Sequence, residues 1–295
     1  MVPSRSIFYP CTIPYTKKPS AHYNLSPQQN LDYAMCAHYE SVSDKARLKA
    51  HFGIDLPSEL ARRDAWPGYL STFIRRQPHA DVGDDAVPER EALLGSFGLI
   101  PHWATDTKIA RHTYNARTET VAEKPSFRDA WRKTQHCIIP VESFFEPDWR
   151  SGEAIPTRIG NASGEPLGVA GLWSRWKDPK GEILHSFTML TINADHHPLM
   201  NQFHKAADEK RMVVILPPER YDDWLRASPS ESGNFLRAWP AEWLIATEPS
   251  VKNNPGPSRL ASMLTPAEIG SLRQEVKRDH ERLKDLLAEK RNEMP

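Results

Sequence analysis

Residues 137–147 read CIIPVESFFEP, a run of branched apolar residues that passes into two aromatic rings and ends at a proline. Branched and aromatic side chains fit the pleated surface of a β-sheet, so this stretch predicts a strand that ends at Pro147. Comparable apolar runs, separated by glycine, proline and polar residues, recur along the chain: LLGSFGLIPHW (93–103), PLGVAGLW (166–173), HSFTMLTI (185–192), RMVVIL (211–216) and EWLIAT (242–247). We interpret them as strands, the first of which runs on into a loop.

The connections between these strands predict the fold class. Most strands follow one another through loops rather than through long helices, which argues against a doubly wound parallel sheet. Proline-rich segments before about residue 92 also predict loops. The sequence therefore predicts an α+β fold, in which helices surround a mixed or antiparallel β-sheet system.

Two helices are predicted from their capping residues. In SVSDKARLKAHFG (41–53), Ser43 is placed to cap the first turn and Gly53 to end the helix. In KPSFRDAWRKT (124–134), the S-x-x-D spacing that begins at Ser126 predicts the start of a second helix.

The chain divides into three parts by composition. Residues 1–34 are rich in proline, serine and scattered aromatics without helical or strand periodicity, so we expect residues 1–35 to form a removable, unstructured leader. A poor organelle-targeting peptide is the alternative. Residues 36–249 hold the predicted strands and form the main domain. Residues 250–295 comprise a linker and a charged helix from Thr265, which either docks on the domain or binds a partner through a narrow apolar stripe.

The overall charge is balanced, because 38 Lys and Arg residues face 38 Asp and Glu residues. Nucleic-acid binding then requires a local patch, and residues 108–136 provide one, with seven Lys and Arg against three acids. The three cysteines lack CxxC spacing, which argues against a disulfide framework and a zinc site. Since no run of 18 apolar residues occurs, we expect a cytoplasmic protein that does not bind membranes.

The most informative chemical signal is the pair Met35–Cys36, which is followed by the small residue Ala37. Removal of everything before Cys36 would leave an N-terminal cysteine, whose α-amine (pKa about 8) and thiol (pKa about 8.5) are both partly deprotonated at neutral pH. Such a 1,2-aminothiol forms a Schiff base with an aldehyde and then closes through sulfur to a thiazolidine, which resists hydrolysis better than an imine. The alternative for a lone cysteine is an ordinary buried thiol.

Further positions carry groups suited to anion binding or proton transfer. Asn115 and Arg117 lie two apart, so in an extended segment both face one side, where an amide and a guanidinium could hold one ligand. A solvated turn is the alternative. Glu146 follows two phenylalanines, and desolvation of this kind raises the pKa of a carboxyl, unless the residue is a surface acid. His204 carries the side chain best suited to move a proton near pH 7.

The order of these motifs resembles the SOS-response-associated peptidase family, the abasic-site-shielding proteins found from bacteria to animals. The resemblance spans roughly residues 35–249 and rests on five segments: MCAHYES (35–41), GLIPHWA (98–104), YNARTETVAEKPSFRDAW (114–131), CIIPVESFFEP (137–147) and FHKAADEKRMVVILP (203–217). The third segment is highly specific. The resemblance implies that the sheet is barrel-like.

The resemblance also implies roles for four catalytic residues. Cys36 would be the mature N-terminus and covalent nucleophile, exposed by (auto)proteolytic removal of the leader. Asn115 would position the cysteine and the ring-opened sugar. Glu146 would assist sugar ring opening, proton transfers and release of the leader. His204 would protonate the sugar oxygen or stabilise the Schiff base.

A set of DNA-binding residues is implied in the same way. Arg117 would hold a phosphate beside the lesion, and Arg211 is a looser match to a family arginine. Phe97 stands where many members have tryptophan, and with Trp103 it would offer a ring for base stacking; Pro67 completes the set. Single-stranded DNA is the expected substrate, because a duplex buries the aldehyde and offers no splayed bases.

These inferences predict a DNA-damage response protein that senses abasic sites in single-stranded DNA and crosslinks to them through Cys36. It would be an enzyme with autopeptidase and lyase-type crosslinking activity, without cofactor or metal. We expect a monomer that joins the nucleoid when bound to DNA, with replication-fork proteins as conceivable partners. The alternative is a cysteine peptidase or amidase that uses Cys36 and His204 on peptides. A third hypothesis is a metal-binding protein that uses Cys36, His38, His196 and His197, although these fit no standard zinc spacing.

Overall fold

The described part of the chain consists mainly of β-strands. The computed structural model describes residues 37–55, 63–78, 80 and 88–247. The predicted leader, Cys36 and the predicted C-terminal linker and helix lie outside these residues. The described residues form twelve strands: β1 (His38–Ser41), β2 (Asp64–Ala65), β3 (Leu70–Arg76), β4 (Arg90–Phe97), β5 (Asn115–Arg117), β6 (His136–Asp148), β7 (Ile155–Asn161), β8 (Leu167–Lys177), β9 (Ile183–Asn193), β10 (Arg211–Val213), β11 (Ile215–Leu216) and β12 (Leu244–Thr247). They also form three α-helices, α1 (Lys45–Phe52), α2 (Arg128–Arg132) and α3 (Tyr221–Arg226), and five 3-10 helices, Thr107–His112, Met200–Gln202, Pro218–Arg220, Ser232–Phe235 and Ala241–Trp243.

Five of these strands close into a barrel. β6 pairs with β8, β8 with β9, β9 with β4, β4 with β3, and β3 again with β6, so the ladder returns to its starting strand. The β4–β9 pairing is parallel and the others in the ring are antiparallel. β5 adds a second parallel neighbour to β9. The predicted α+β fold with a mixed, barrel-like sheet is confirmed.

β6 belongs to two parts of the sheet, which explains its length of 13 residues. Its first half, 136–141, pairs with β8 in the barrel wall. Residues 144–148 of the second half pair with β7 on one side, and residues 141–145 pair with β1 on the other. The strand does not end at Pro147 as predicted but reaches Asp148. Pro147 lies opposite Pro156 near the end of the ladder, where a missing backbone N–H disturbs the pairing least.

Alternation along β6 feeds two cores. Ile139 joins a cluster to which all five barrel strands contribute, and Ile138 joins a second cluster between the barrel and the helices. Both isoleucines are fully buried, and each contributes about 1.5–3 kcal/mol by the transfer of its side chain out of water. Trp224 of α3 lies in the second cluster and donates its indole N–H to the carbonyl of Cys137 at 2.9 Å.

α1 forms as predicted, but with a different first residue. Asp44 caps the helix instead of Ser43, because the Asp44 side chain accepts a hydrogen bond from the backbone N–H of Arg47 at 2.9 Å. The predicted end is confirmed, since Gly53 has a φ of 71° and donates its N–H to the carbonyl of Lys49 at 2.9 Å.

Other elements depart from the sequence prediction. α2 begins at Arg128 without a side-chain cap, so Ser126 is wrong as its start. β3 lies in the region before residue 92 for which the sequence predicts only loops; its polar and apolar residues do not alternate, because β3 is buried over most of its length on both faces. RMVVIL divides at Val214 into β10, which pairs with β9, and β11, which pairs with β8.

The described helices are short. The longest of them, α1, has 8 residues, whereas a membrane span needs about 20. No helix among the described residues is long and apolar enough to cross a bilayer.

His136, at the start of β6, makes the stability of the fold sensitive to acid. The residue is 2% exposed, its ring stacks on Trp224 at a centroid distance of 4.0 Å, and its Nε2 lies 3.2 Å from the hydroxyl of Ser232. Burial lowers the pKa of His136 from 6.5 to about 4. Because the unfolded chain then takes up this proton at a higher pH than the folded chain, stability falls as the pH drops from 6.5 towards 4.

We expect the free energy of unfolding of the wild type to fall by about 2 kcal/mol more between pH 7 and pH 5 than that of His136→Gln, which lacks the titrating ring. Urea unfolding at the two pH values measures this difference. His196→Gln, at an exposed position, controls for the loss of an imidazole. An equal pH dependence in the wild type and His136→Gln would contradict the assignment.

Candidate active site beside strand β1

A buried ion pair lies at the centre of the candidate site. Glu146 comes from the second half of β6, and His204 comes from the turn after the 3-10 helix Met200–Gln202. Nε2 of His204 lies 2.9 Å from Oε2 of Glu146, and the two side chains are 5% and 2% exposed. The structure thus joins two residues that the sequence identifies only as separate acid–base candidates.

His204 has an uncommon backbone conformation. Its φ is +64°, in the left-handed region that costs a residue with a side chain about 1–2 kcal/mol. Its N–H donates to the carbonyl of Pro147 at 2.8 Å. Nζ of Lys210 donates to the carbonyls of Phe203, His204 and Lys205 at 2.8, 3.2 and 2.6 Å. These hydrogen bonds offset the cost and hold the backbone of the turn that carries the imidazole.

Lys210 is therefore a positioning residue that the sequence analysis misses. Its own backbone N–H donates to Oδ1 of Asp195 at 2.8 Å, which anchors it at the end of β9. In the sequence it is one lysine in the polar run HKAADEK (204–210), and nothing distinguishes it from a solvated surface lysine. The contact exists only because the turn folds back over its ammonium group.

The ion pair sets the charge state of His204. Burial lowers the pKa of the imidazole, but the hydrogen bond and the negative charge of Glu146 outweigh burial and leave the pKa above 6.5. Lys210 opposes this effect and Asp208 adds to it, each to a smaller extent. The site therefore favours an imidazolium, which can donate a proton to an oxygen of a ligand.

Asn115 and Arg117 occupy the two ends of β5, which runs parallel to β9. The residue between them, Ala116, is fully buried, so the two polar side chains share the opposite face of the strand. The side chain of Arg117 is 49% exposed. This is the extended arrangement in which an amide and a guanidinium can approach the same ligand.

Arg117 and Arg211 meet at one carboxylate. Oε2 of Glu209 lies 2.7 Å from Nη1 of Arg117, and Oε1 lies 2.6 Å from Nη1 of Arg211. Arg211 is 2% exposed, and its other N–H groups donate to Glu119 and Thr191. The structure does not support the predicted DNA contact of Arg211, because its guanidinium is buried and bonded to protein acceptors. Arg211 instead braces the strands that carry the site.

β1 brings the beginning of the main domain next to the ion pair. The chain is described from Ala37 onwards, so Cys36 lies immediately outside the described residues. His38 opens β1 opposite Phe145, the residue that precedes Glu146 on β6. The position that follows Cys36 by two residues is thus fixed beside the buried carboxylate.

His38 lies within a stack of three rings. Its imidazole is sandwiched between Trp66 and Phe145, with 4.2 Å between ring centroids on each side. Its Nε2 lies 3.0 Å from Oδ1 of Asp64. Burial lowers the pKa of His38, and the hydrogen bond to Asp64 opposes this only partly. The stack and the Asp64 contact tie the start of β1 to Trp66 and Phe145.

The predicted DNA-binding rings differ in exposure. Phe97 is 0% exposed and packs against Tyr39 and Phe187. The predicted base stacking by Phe97 is therefore wrong, because its ring has no open face for a base. Trp103 is 48% exposed and can offer one. Pro67 is half-buried in the turn before β3.

The histidines of the metal hypothesis serve other contacts. Nε2 of His197 lies 2.8 Å from the carbonyl of Trp239, and Nδ1 accepts hydrogen bonds from the backbone N–H groups of Leu199 and Met200. His196 is exposed beside it. Within the described ranges, no group of three or more His, Cys, Asp or Glu side chains is placed to hold a metal ion.

The fold and the site together define a class: a mixed β-barrel protein with a buried Glu–His pair and, on a neighbouring strand, a half-exposed arginine. Residues 35–253 match the family SOS response associated peptidase (SRAP). Because this match covers most of the chain, the protein belongs to the SRAP family, as the motifs indicate.

Named relatives and a solved structure agree with this assignment. The abasic site processing protein YoqW of Bacillus subtilis (strain 168) is 36% identical over 228 residues, which cover 75% of this chain and 95% of the relative. The abasic site processing protein YobE of the same organism is 40% identical over 132 residues, which cover 44% and 56%. A crystal structure of a protein from Bordetella bronchiseptica is similar with a TM-score of 0.66 at 45% identity, over 73% of this chain and 100% of that chain.

Replacement of Glu146 tests the origin of the charge on His204. In Glu146→Gln the negative charge is lost and burial remains, so we expect the pKa of His204 to fall below its wild-type value. Titration of the imidazole nitrogens by NMR measures the shift. Asp208→Asn is the matched control, because it removes a more distant carboxylate that also raises this pKa. A shift in Glu146→Gln no larger than that in Asp208→Asn would contradict the assignment of Glu146 as the main cause.

Proposed function

We propose that this protein acts in the DNA-damage response by recognising abasic sites in single-stranded DNA and forming a thiazolidine crosslink to them through Cys36 as the N-terminal residue. The names of the Bacillus relatives, abasic site processing proteins, support abasic DNA as the substrate. The observation that carries the proposal is the buried Glu146–His204 pair beside β1.

The geometry of β1 supports a role for Cys36 at this pair. Cys36 precedes His38 by two positions, and two residues of extended chain span at most about 7 Å. His38 is paired with Phe145, next to Glu146. The proposal therefore needs only this short span of chain to bring an amine and a thiol at residue 36 to the acid–base pair.

The proposed reaction proceeds in three steps. The hemiacetal of the abasic sugar opens to an aldehyde, with the carboxylate of Glu146 and the imidazolium of His204 moving the proton between the sugar oxygens. The α-amine of Cys36 adds to the aldehyde carbon, and the carbinolamine loses water, with a proton from His204, to give the Schiff base. The thiol then adds across the C=N bond, so that sulfur bonds to carbon and the proton to nitrogen. The carboxylate of Glu146 raises the pKa of His204, which favours the protonated imidazole that the second step needs as its acid.

The same chemistry requires a free α-amine at Cys36. We propose that residues 1–35 are removed, either because translation starts at Met35 and an aminopeptidase removes that methionine, or because the protein cleaves the Met35–Cys36 bond itself with water as the co-reactant. In the second case Glu146 assists the attack on that peptide bond, since it is the buried acid nearest to the start of β1 in the pairing register.

Arg117, Trp103 and Pro67 remain the DNA-contacting residues of the proposal. Arg117 is half-exposed and can hold a phosphate beside the lesion, and Trp103 can stack on a base. Asn115, on the same face as Arg117, would position the opened sugar. The surplus of basic residues in 108–136 would follow the backbone of a single strand. We place the protein in the cytoplasm as a monomer that joins the nucleoid when bound to DNA.

A thiol peptidase or amidase is the second candidate function. The Glu146–His204 pair has the orientation that a carboxylate gives to a catalytic histidine, and a thiol at residue 36 would complete a nucleophile–base–orienter arrangement. The two functions differ in one requirement. A thiol peptidase needs only the side chain of Cys36, whereas thiazolidine formation also needs its α-amine.

We expect mature protein and a single-stranded oligonucleotide with one abasic site to form an adduct that survives a denaturing gel without borohydride, because ring closure through sulfur replaces a reversible imine. Cys36→Ala should lose this adduct. Cys36→Ser keeps the amine and should be trapped only with reductant. His204→Ala or Asn115→Ala should slow adduct formation by about 10²-fold.

One added residue ahead of Cys36 is the sharpest control, because it leaves every side chain in place and removes only the free α-amine. Blocked protein should form no adduct. Adduct formation at the normal rate would exclude the aminothiol mechanism and favour the thiol peptidase.

Self-cleavage is tested by expressing the chain with residues 1–35 and measuring its intact mass. We expect Glu146→Gln to retain the leader and the wild type to begin at Cys36. Asp148→Asn is the control, since Asp148 lies on the same strand but pairs with Arg150 instead of His204. Complete processing of Glu146→Gln would assign cleavage to a host protease.

A further inference from the structure

Arg117, the proposed phosphate ligand, is already paired with a carboxylate of the same chain. We propose that Glu209 is an internal substitute for a DNA phosphate, which occupies the Arg117 guanidinium in the DNA-free protein and must be displaced when a strand binds. This inference rests on the proposed function and adds a residue that sets the threshold for non-covalent DNA binding.

The geometry of the Arg117–Glu209 contact allows the carboxylate and a phosphate to compete for the same guanidinium. Nη1 of Arg117 lies 2.7 Å from Oε2 of Glu209. A guanidinium offers the same fork of N–H donors to a carboxylate and to a phosphate, so the two anions compete for one position. The side chains of Arg117 and Glu209 are 49% and 35% exposed, which leaves the pair open to an incoming ligand.

Glu209 can leave Arg117 without becoming a stranded charge. Its second oxygen, Oε1, already accepts from Nη1 of Arg211 at 2.6 Å and from Nδ2 of Asn193 at 3.3 Å. Arg211 also remains paired with Glu119, whose Oε2 lies 2.8 Å from Nη2 of Arg211. Both arginines therefore have an anionic partner before and after the exchange, and no buried charge is left unpaired.

The exchange has a consequence for selectivity. A phosphate that replaces Glu209 gains little binding free energy, because its contact with Arg117 only substitutes for the Arg117–Glu209 contact. Undamaged single strands therefore bind weakly through Arg117. An abasic strand gains an additional, covalent step that other strands lack. Glu209 would thus shorten the residence time of the protein on intact DNA, while Cys36 would still capture abasic sites.

The structure offers a matched pair of variants to test this inference. Glu209→Gln removes the competitor and keeps an amide oxygen for Arg211. Glu119→Gln removes one negative charge from the same network but leaves the Arg117–Glu209 contact intact. The probe is an undamaged, fluorescein-labelled single-stranded oligonucleotide, and fluorescence anisotropy gives its affinity at several salt concentrations.

We expect Glu209→Gln to bind this probe about 2- to 5-fold more tightly than the wild type, because one partly exposed ion pair contributes up to about 1 kcal/mol. Its salt dependence should steepen by about 0.7 in log–log slope, because one more phosphate is neutralised by a cation that no longer has an internal partner. Glu119→Gln should change affinity less. When Arg117 is also replaced by alanine, Glu209→Gln and Glu119→Gln should change the affinity for the probe equally, because the contact that Glu209 blocks is then absent.

Equal affinities of Glu209→Gln and Glu119→Gln would overturn this inference, and the proposed function would stand if the wild type still crosslinks abasic strands. Failure of the wild type to bind or crosslink any single strand would overturn both. Thermal unfolding checks that each variant is folded. If Glu209→Gln does not fold, Glu209→Asp replaces it, because aspartate keeps the negative charge beside Arg211 but has a shorter side chain to reach Arg117. An affinity of Glu209→Asp for the probe equal to that of the wild type would also overturn the inference.

Discussion

The buried ion pair between Glu146 and His204 is the interaction on which the rest of the site depends. Two ionisable groups that are almost fully removed from water cost several kcal/mol each to desolvate, unless each finds an opposite charge in good geometry. That geometry is supplied by a left-handed turn at His204, which Lys210 holds through three carbonyls. The two groups therefore meet at a position that the backbone fixes and that is almost fully removed from water.

The position of this pair follows from the double use of β6. Its first half closes the barrel against β8, and its second half leaves the barrel wall to pair with β1 and β7. Glu146 lies in that second half, between the buried Phe144 and Pro147. The carbonyl of Pro147 accepts a hydrogen bond from the backbone N–H of His204. The strand that stabilises the barrel therefore also carries the acid of the site, and the β1 ladder brings the start of the main domain to it.

Charge is arranged locally in a protein that is neutral as a whole. Glu209 holds Arg117 at the surface and Arg211 in the interior, and Glu119 neutralises Arg211 from the other side. One arginine of the group is thus a brace and the other can reach a ligand. A count of basic residues along the sequence includes both and does not distinguish these roles, because burial decides which guanidinium can meet a phosphate.

The sequence by itself identified four of the five barrel strands (β4, β6, β8 and β9), the mixed or antiparallel sheet and the end of α1 at Gly53, since these follow from local periodicity and capping. It also identified the SRAP family through its motifs. Only the tertiary structure decided that Phe97 is core, that Arg211 is buried, and that Glu146 and His204 form one ion pair held by Lys210. Those properties arise from contacts between segments far apart in the chain, and the identity of a residue does not record which distant groups will surround it once the barrel has closed.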